Sequence, residues 1–264
     1  MAGAEGDTLI HPTAVVDAAA RIAADVVIGP YSIIAAGVEI DRGTWIGPHV
    51  VISGCTRIGR DNRIFQFASL GEEPQDRKYS AEATRLEIGD GNTIREYVTI
   101  NRGTVQDQGV TRIGDDNWIM AYVHIAHDCR IGSHTIFANN ATLAGHVQVG
   151  DYAILGGATL VHQFCRIGEQ AFTAYGARIN KDVPPFVTVS EGKARPRGLN
   201  VEGLRRRGFD EDRIRQLKEA YRILYRSELP LEQALERLRV LAGQSADVER
   251  LLAFVESGER SIVR

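Results

Sequence analysis

No apolar stretch approaches the roughly 20 residues that a membrane-spanning helix needs, so no integral membrane segment is expected. The first seven residues, Met-Ala-Gly-Ala-Glu-Gly-Asp, carry neither a basic nor an apolar segment; a secretory leader is not expected, and a cytoplasmic location is. Cysteine is scarce: Cys55, Cys129 and Cys165 are too few and too scattered for a disulfide framework. Neither sign of charge dominates, since 31 Lys and Arg stand against 34 Asp and Glu for a net −3, which leaves no global signal for nucleic acid. Aromatics make up only 7%, while 27 glycines point to many tight turns. Dinucleotide GxGxxG, phosphate-loop GxxxxGK and nucleophile-elbow GxSxG patterns are all missing.

What is present is a period of six. Aliphatic residues recur at every sixth position from Ile10 to Leu70, resume from Ile88 to Ile100, and run again from Ile113 to Ile179. Thr173 is the one polar member of this series. Position five of each hexad is small or β-branched, as at Val26, Ser32, Val38, Thr44, Cys129 and Ala141. Position five and the next position one are two residues apart, so on a strand they face the same side. Gly, Asp and Asn gather at positions two to four, which is turn chemistry. A period of six matches no helix, and turns this frequent argue against a sandwich. The pattern predicts a parallel β-solenoid that buries one continuous aliphatic column.

Two insertions interrupt it, at residues 71–87 and 105–112. Loops projecting from a rigid scaffold commonly carry function, which the first insertion suits better than the second; a tolerated surface insertion is the other reading of each. Beyond about residue 190 the period changes. Asp210 suits the N-cap of a helix from Glu211, Pro230 can open a second helix and Ala246 a third. The expected division is a β-solenoid over residues 1–190 and a small helical C-terminal domain over residues 191–264.

Five of the seven histidines, His124, His127, His134, His146 and His162, fall within residues 119–166. If three hexads make one coil, residues eighteen apart stack. His127, Gly145 and Gln163 then share a column; Asp128, His146 and Phe164 form the next, and Ala126, Ala144 and His162 a third. All occupy turn positions near one corner. An exposed histidine is the natural general base near neutral pH. Asp128 is placed to orient the His127 ring, and the Gly145 N–H to serve as an oxyanion donor. Two other readings stay open: a solvated polar corner, and a three-histidine metal site.

The segments between the hexads are more specific. They include Gln75-Asp-Arg-Lys-Tyr79, Arg102-Gly-Thr, His124-Ile-Ala-His-Asp-Cys129, Asn139-Asn-Ala-Thr-Leu-Ala-Gly-His146, Val161-His-Gln-Phe-Cys165 and Asn200-Val-Glu-Gly-Leu-Arg-Arg-Arg-Gly-Phe209. With these the chain closely resembles the acyl-[acyl-carrier-protein]–UDP-N-acetylglucosamine O-acyltransferases, the first enzymes of lipid A synthesis. The resemblance implies a left-handed parallel β-helix, a homotrimer with active sites between prisms, and no cofactor or metal. It implies (R)-3-hydroxyacyl–acyl carrier protein as donor and UDP-N-acetylglucosamine as acceptor. On that reading His127 is the base, Asp128 orients it and Gly145 stabilises the oxyanion. Asp76 and Lys78 hold the sugar nucleotide, and His124, His146, His162 and Gln163 line the sugar and acyl sites. Asn200, Glu202 and Arg206 take the nucleotide end.

Two positions depart from the family pattern. Asn101 stands where a histidine is common, which puts one substrate contact in question. Tyr175 falls, with Phe172, in the region of the acyl-length ruler, where long-chain enzymes have glycine; its bulk implies a chain shorter than fourteen carbons. Alternatives are the 3-amino analogue of the acceptor and, in another class, a metal-dependent hydratase of the γ-carbonic anhydrase type. Arg166, Arg178, Lys181, Lys193, Arg195 and Arg197 are expected to meet the acidic carrier protein.

Overall fold

A computed structural model describes residues 9–264; the N-terminal stretch read above for a leader lies outside the described residues. Each hexad forms a strand, most of them only two residues long, and three hexads close one triangular coil. The coils stack into three sheets of eleven, ten and eight strands. The first begins with Leu9–Ile10, the second with Val15–Val16 and the third with Arg21–Ile22. Every pairing is parallel except the last, where Pro196–Leu199 turns back against Val187–Val189. The result is a left-handed parallel β-helix followed by helices, as the hexad pattern and the resemblance together predict.

The buried column is the repeat itself. From Ile28 to Ile179 every position-one residue is at most 4% exposed. Thr173 is tolerated there because its Oγ1 accepts the Gly156 N–H and pairs with the Thr159 hydroxyl at 2.7 Å. The first coil has no coil beneath it within the described residues, and Ile10 is accordingly exposed.

Position four of the hexad adopts the left-handed region whatever its side chain, as at Tyr31, His49, Asp128 and His146 (φ 56–63°). Non-glycine residues rarely do this. Here each corner needs that turn, and the position-four N–H then donates to the coil below, as from His146 to the His127 carbonyl at 3.0 Å. The corner between the first and second sheets carries a stack of rings, Tyr31, His49, Phe67, Tyr97 and Tyr122, with centroids 4.9–5.3 Å apart.

Both insertions leave at the same corner, between the second and third sheets. The first joins Ser69–Glu72 to Arg85–Ile88, and the second joins Thr99–Asn101 to Val110–Ile113. Each adds residues without displacing the next strand, so Ile88 still stacks on Ile58 and Ile113 on Ile88. Residues 192–199 still pair with the prism, so the helices proper begin later, at Val201–Arg206 (α1), Glu211–Tyr225 (α2), Leu231–Ala242 (α3) and Ala246–Glu256 (α4). Asp210 caps α2 as expected, accepting the Arg213 N–H at 2.8 Å. Ile214, Leu217, Leu224, Leu238 and Leu251 pack with Phe186 against the end of the prism. Among the described residues no helix is long and apolar enough to cross a membrane.

Inside the corner between the third and first sheets runs a ladder of buried asparagines. Asn62 Oδ1 accepts from Asn92 N and Nδ2, Asn92 Oδ1 accepts from Asn117 N, and Asn117 Oδ1 accepts from Thr135 N and Oγ1. Substituting Asn92→Ala strands the Asn117 N–H without water. The cost should be about 2–3 kcal/mol, or roughly 5–10 °C in Tm, with the circular dichroism spectrum of the folded protein unchanged. A Tm within 1 °C of wild type would show that the ladder contributes nothing.

Candidate active site

The histidine corner forms as the eighteen-residue rule requires. Asp128 is its buried anchor, with a side chain that is 0% exposed. Its oxygens accept the Thr104 N–H (2.9 Å), the Thr104 hydroxyl (2.7 Å) and His127 Nδ1–H (2.8 Å). Its own N–H donates to Thr111 Oγ1 at 2.8 Å. Burial alone would raise the carboxyl pKa; the His127 and Thr104 hydrogen bonds and the nearby His146 outweigh it and hold the group below its ordinary value. Asp128 is therefore ionised at neutral pH and can only accept. His127 Nδ1 must carry the proton, which leaves a lone pair on Nε2.

Gly145 lies one coil above, against the face of that ring. A Cβ built on it would meet His127 Cε1 and Nε2 at 2.6 and 2.7 Å, so only glycine lets the backbone come this close. Among the described residues the Gly145 N–H has no acceptor, while the flanking N–H groups of Ala144 and His146 are spent on neighbouring coils. A free imidazole nitrogen and an uncommitted backbone donor thus stand side by side, which is the equipment of acyl transfer.

His146 meets the His127 ring edge-on (5.1 Å, 89°) and stacks on Phe164 (4.4 Å, 13°). His124 is held by Thr99 through Nδ1 at 2.7 Å. Burial, then the neighbouring His127, lowers its pKa, so it is neutral at pH 7. His124 and His162 line a mostly aliphatic groove of about 540 Å³ on the second sheet, with Leu160, Val161 and Ile179. His162 and Gln163 are exposed beside it. Cys129 is inert core, its thiol pKa pushed up to about 12 by burial.

The other candidates are distributed around the prism. Asp76 and Lys78 sit in the first insertion, above the same corner, with the Lys78 N–H bonded to Asp76 Oδ1. Arg102 pins that insertion through the Gly71 carbonyl, the Tyr79 hydroxyl and Glu73. Asn101 lies beneath it, 5% exposed, donating to the Glu73 carbonyl at 2.9 Å with its own Oδ1 unpaired. In the single chain its amide serves the insertion. Tyr175 stands at the corner between the first and second sheets, 73% exposed over Gly157, and Phe172 is on the first sheet. Asn200, capping α1 and bonded to the Gln170 carbonyl, lies at the third corner with Glu202 and Arg206, which pair with each other. One chain therefore does not bring Tyr175, Phe172, Asn200, Glu202 or Arg206 to His127.

Thr104, Thr111 and Asp107 were not legible as site residues. The second insertion, with Thr104 just before it, carries no repeat, and only the fold brings these residues over Asp128. Arg166 is withdrawn from any docking role, being committed to Asp182, Ser257 and the Phe254 carbonyl. His127, Asp128 and His146 also offer three ligand atoms within 4.8 Å of one another.

A hexapeptide prism that presents an oriented imidazole beside a glycine N–H defines a hexapeptide-repeat acyltransferase. Residues 111–145 match the bacterial transferase hexapeptide family, and residues 182–263 match the second domain of the UDP-N-acetylglucosamine O-acyltransferases. An acyl-[acyl-carrier-protein]–UDP-N-acetylglucosamine O-acyltransferase of Halorhodospira halophila is 60% identical over 97% of this chain and 100% of its own. The UDP-N-acetylglucosamine acyltransferase structure of Francisella novicida superposes with a TM-score of 0.96 at 43% identity, over 97% of this chain and 94% of that one. The chain belongs to the acyl-[acyl-carrier-protein]–UDP-N-acetylglucosamine O-acyltransferases.

The close contact at Gly145 gives a test that is independent of substrate identity. Gly145→Ala drives a methyl into the His127 ring at a backbone conformation alanine accepts. We expect kcat to fall by about 10²–10³-fold with Tm nearly unchanged. Near-normal turnover in this variant would mean that the ring and the N–H do not act together.

Proposed function

We propose that the protein transfers an (R)-3-hydroxyacyl group from acyl carrier protein to the 3-hydroxyl of UDP-N-acetylglucosamine, the first step of lipid A synthesis. The observation that carries this reading is the His127 imidazole, its Nδ1–H locked on Asp128 and its Nε2 free beside the Gly145 N–H. Nε2 takes the proton of the sugar hydroxyl as that oxygen attacks the thioester carbonyl. The tetrahedral oxyanion accepts from Gly145. The intermediate collapses with loss of the carrier thiolate, which takes the proton back from the imidazolium. No cofactor enters the step. His124, His146, His162 and Gln163 line the sugar and acyl sites, and Asp76 and Lys78 of the first insertion bind the sugar nucleotide. Asn101 acts through the insertion it supports.

The hydratase alternative would need a metal held by histidines of this corner, and the groups that lie close enough together within one chain are His127, Asp128 and His146. Both Asp128 oxygens are already occupied by Thr104 and His127, which makes them poor ligands, and every relative named above is an acyltransferase. The 3-amino acceptor would need an attacking nitrogen in place of the oxygen; the acceptor named for the relatives is the ordinary sugar.

The working form is a homotrimer of parallel prisms, each followed by its C-terminal helices from Val201. Its support is the distribution of groups around the triangle. The third sheet faces outward with ion pairs such as Arg85–Glu87 and Arg112–Glu87. The first sheet carries Trp118, Ile136, Ile154 and Phe172 in one outward row. If the second sheet of one copy faces the first sheet of the next, the His127 corner meets the neighbour's Asn200, Glu202 and Arg206 at the outer mouth. Tyr175 and Phe172 then lie deeper, where an acyl chain would end. The corner of stacked rings falls on the threefold axis. Arg178, Lys181, Lys193, Arg195 and Arg197 are exposed and form no salt bridge among the described residues, which suits an acidic carrier protein. The proposed location is the cytoplasm.

Two measurements check this. With (R)-3-hydroxyacyl carrier proteins of ten to sixteen carbons, wild type should prefer chains shorter than fourteen, His127→Ala should lose at least about 10³-fold in kcat, and Tyr175→Gly should shift the preference upward. Failure of every donor with this acceptor would overturn the activity; an unshifted preference in Tyr175→Gly would overturn the ruler alone. In a Cys55→Ser background, Tyr97→Cys on the axis should cross-link to its own copy, leaving about two-thirds of chains as covalent dimers, while Glu87→Cys stays monomeric on the gel. A trimer by light scattering without the Tyr97→Cys cross-link would displace the axis, and a monomer would remove the trimer.

A further inference from the structure

The second insertion places one acidic group that the reaction above does not use. Asp107 reaches over the coil above it. Its oxygens accept from Arg130 Nη2 at 3.0 and 3.1 Å, and its Oδ2 lies 3.3 Å from His146 Nδ1. The other nitrogen of that ring, Nε2, lies 3.8 Å from Asp128 Oδ2, the same oxygen that receives His127 Nδ1–H. Two imidazoles thus face one carboxylate oxygen, and His127 must win it for Nε2 of His127 to be the free base.

Resting on the acyl-transfer reading of this corner, we propose that Asp107 is a positioning residue: it holds the proton of His146 on Nδ1, away from Asp128, and so keeps the catalytic imidazole in register. A neutral imidazole has one N–H. Asp107 accepts from Arg130 and faces Nδ1, so in the neutral form of the ring the His146 proton is drawn to Nδ1. Phe164, stacked on the His146 ring, fixes its plane but not which nitrogen bears hydrogen. Without Asp107 the most basic acceptor within reach of His146 is Asp128. An Nε2–H drawn there would compete for Oδ2 and loosen the 2.8 Å bond that orients His127. The arrangement is a relay of orientation, Arg130 to Asp107 to His146, ending at the carboxylate that aims the base.

The test compares Asp107→Ala, Asp107→Glu and Arg130→Ala. Asp107→Ala should lower kcat by about 10–100-fold while KM for each substrate stays within about twofold, because orientation and not binding is lost. Asp107→Glu, which keeps the acceptor, should recover most of the loss. Arg130→Ala should cost under about fivefold, since Asp107 can still reach His146. Histidine ¹⁵N resonances should report an Nδ1-protonated His146 in wild type and a shift toward Nε2 in Asp107→Ala; this reading needs no substrate. Equal losses in Asp107→Ala and Arg130→Ala, or a raised KM at unchanged kcat, would reduce Asp107 to an anchor of its loop and overturn the proposal. An unchanged His146 tautomer in Asp107→Ala would do the same. A wild-type protein inert toward every donor would instead sink the activity, leaving the tautomer result to stand by itself.

Discussion

Coil-on-coil register is the constraint from which everything else follows. Each short strand is far too small to persist alone, and it exists because its N–H and C=O groups are paired above and below while its two inward side chains join a column of aliphatic neighbours. The pairing must therefore survive every irregularity in the chain. Both insertions obey this by leaving and returning at one corner, so that Ile58, Ile88 and Ile113 remain stacked although 30 and 25 residues separate them. Asparagine ladders and left-handed corner residues serve the same end, since each commits its polar groups to the adjacent coil.

The active corner is the same device with its polarity reversed. Elsewhere a corner side chain caps the next coil or stacks on its neighbour. At Asp128 the carboxylate is fully buried, and a buried charge is tolerable only when its lone pairs are met. Thr104 and His127 meet them, and the same contacts that make the charge affordable aim the imidazole. Gly145 adds the remaining element by omission, because the absence of a Cβ lets backbone and ring approach.

The candidate residues of one chain are divided among the three corners of the prism. The base, its carboxylate and the insertions share the second corner. Tyr175 and the row of Trp118, Ile136, Ile154 and Phe172 look out from the first sheet and its corner, and Asn200, Glu202 and Arg206 occupy the third. A groove lined by His124, Leu160 and Ile179 lies open on the second sheet. In the proposed trimer one prism's second sheet would meet another's first sheet, with the ion pairs of the third sheet left in solvent.

Much of this was written in the order of residues. A period of six with two inward positions admits few folds, and once three hexads make a coil, arithmetic alone stacks His127 under Gly145 and Asp128 under His146. The hand of the helix did not follow from the period; it came with the family resemblance, because the same inward pattern serves either hand. Tertiary structure decided what sequence spacing could not: that the second insertion folds back to supply Thr104 and Asp107, that Asn101 is sealed beneath the first, and that Arg166 is consumed by Asp182 and the C-terminal helix. Periodic segments are legible because each residue's environment repeats at a fixed interval. Insertions have no interval, so their side chains find partners only through the surface on which they land.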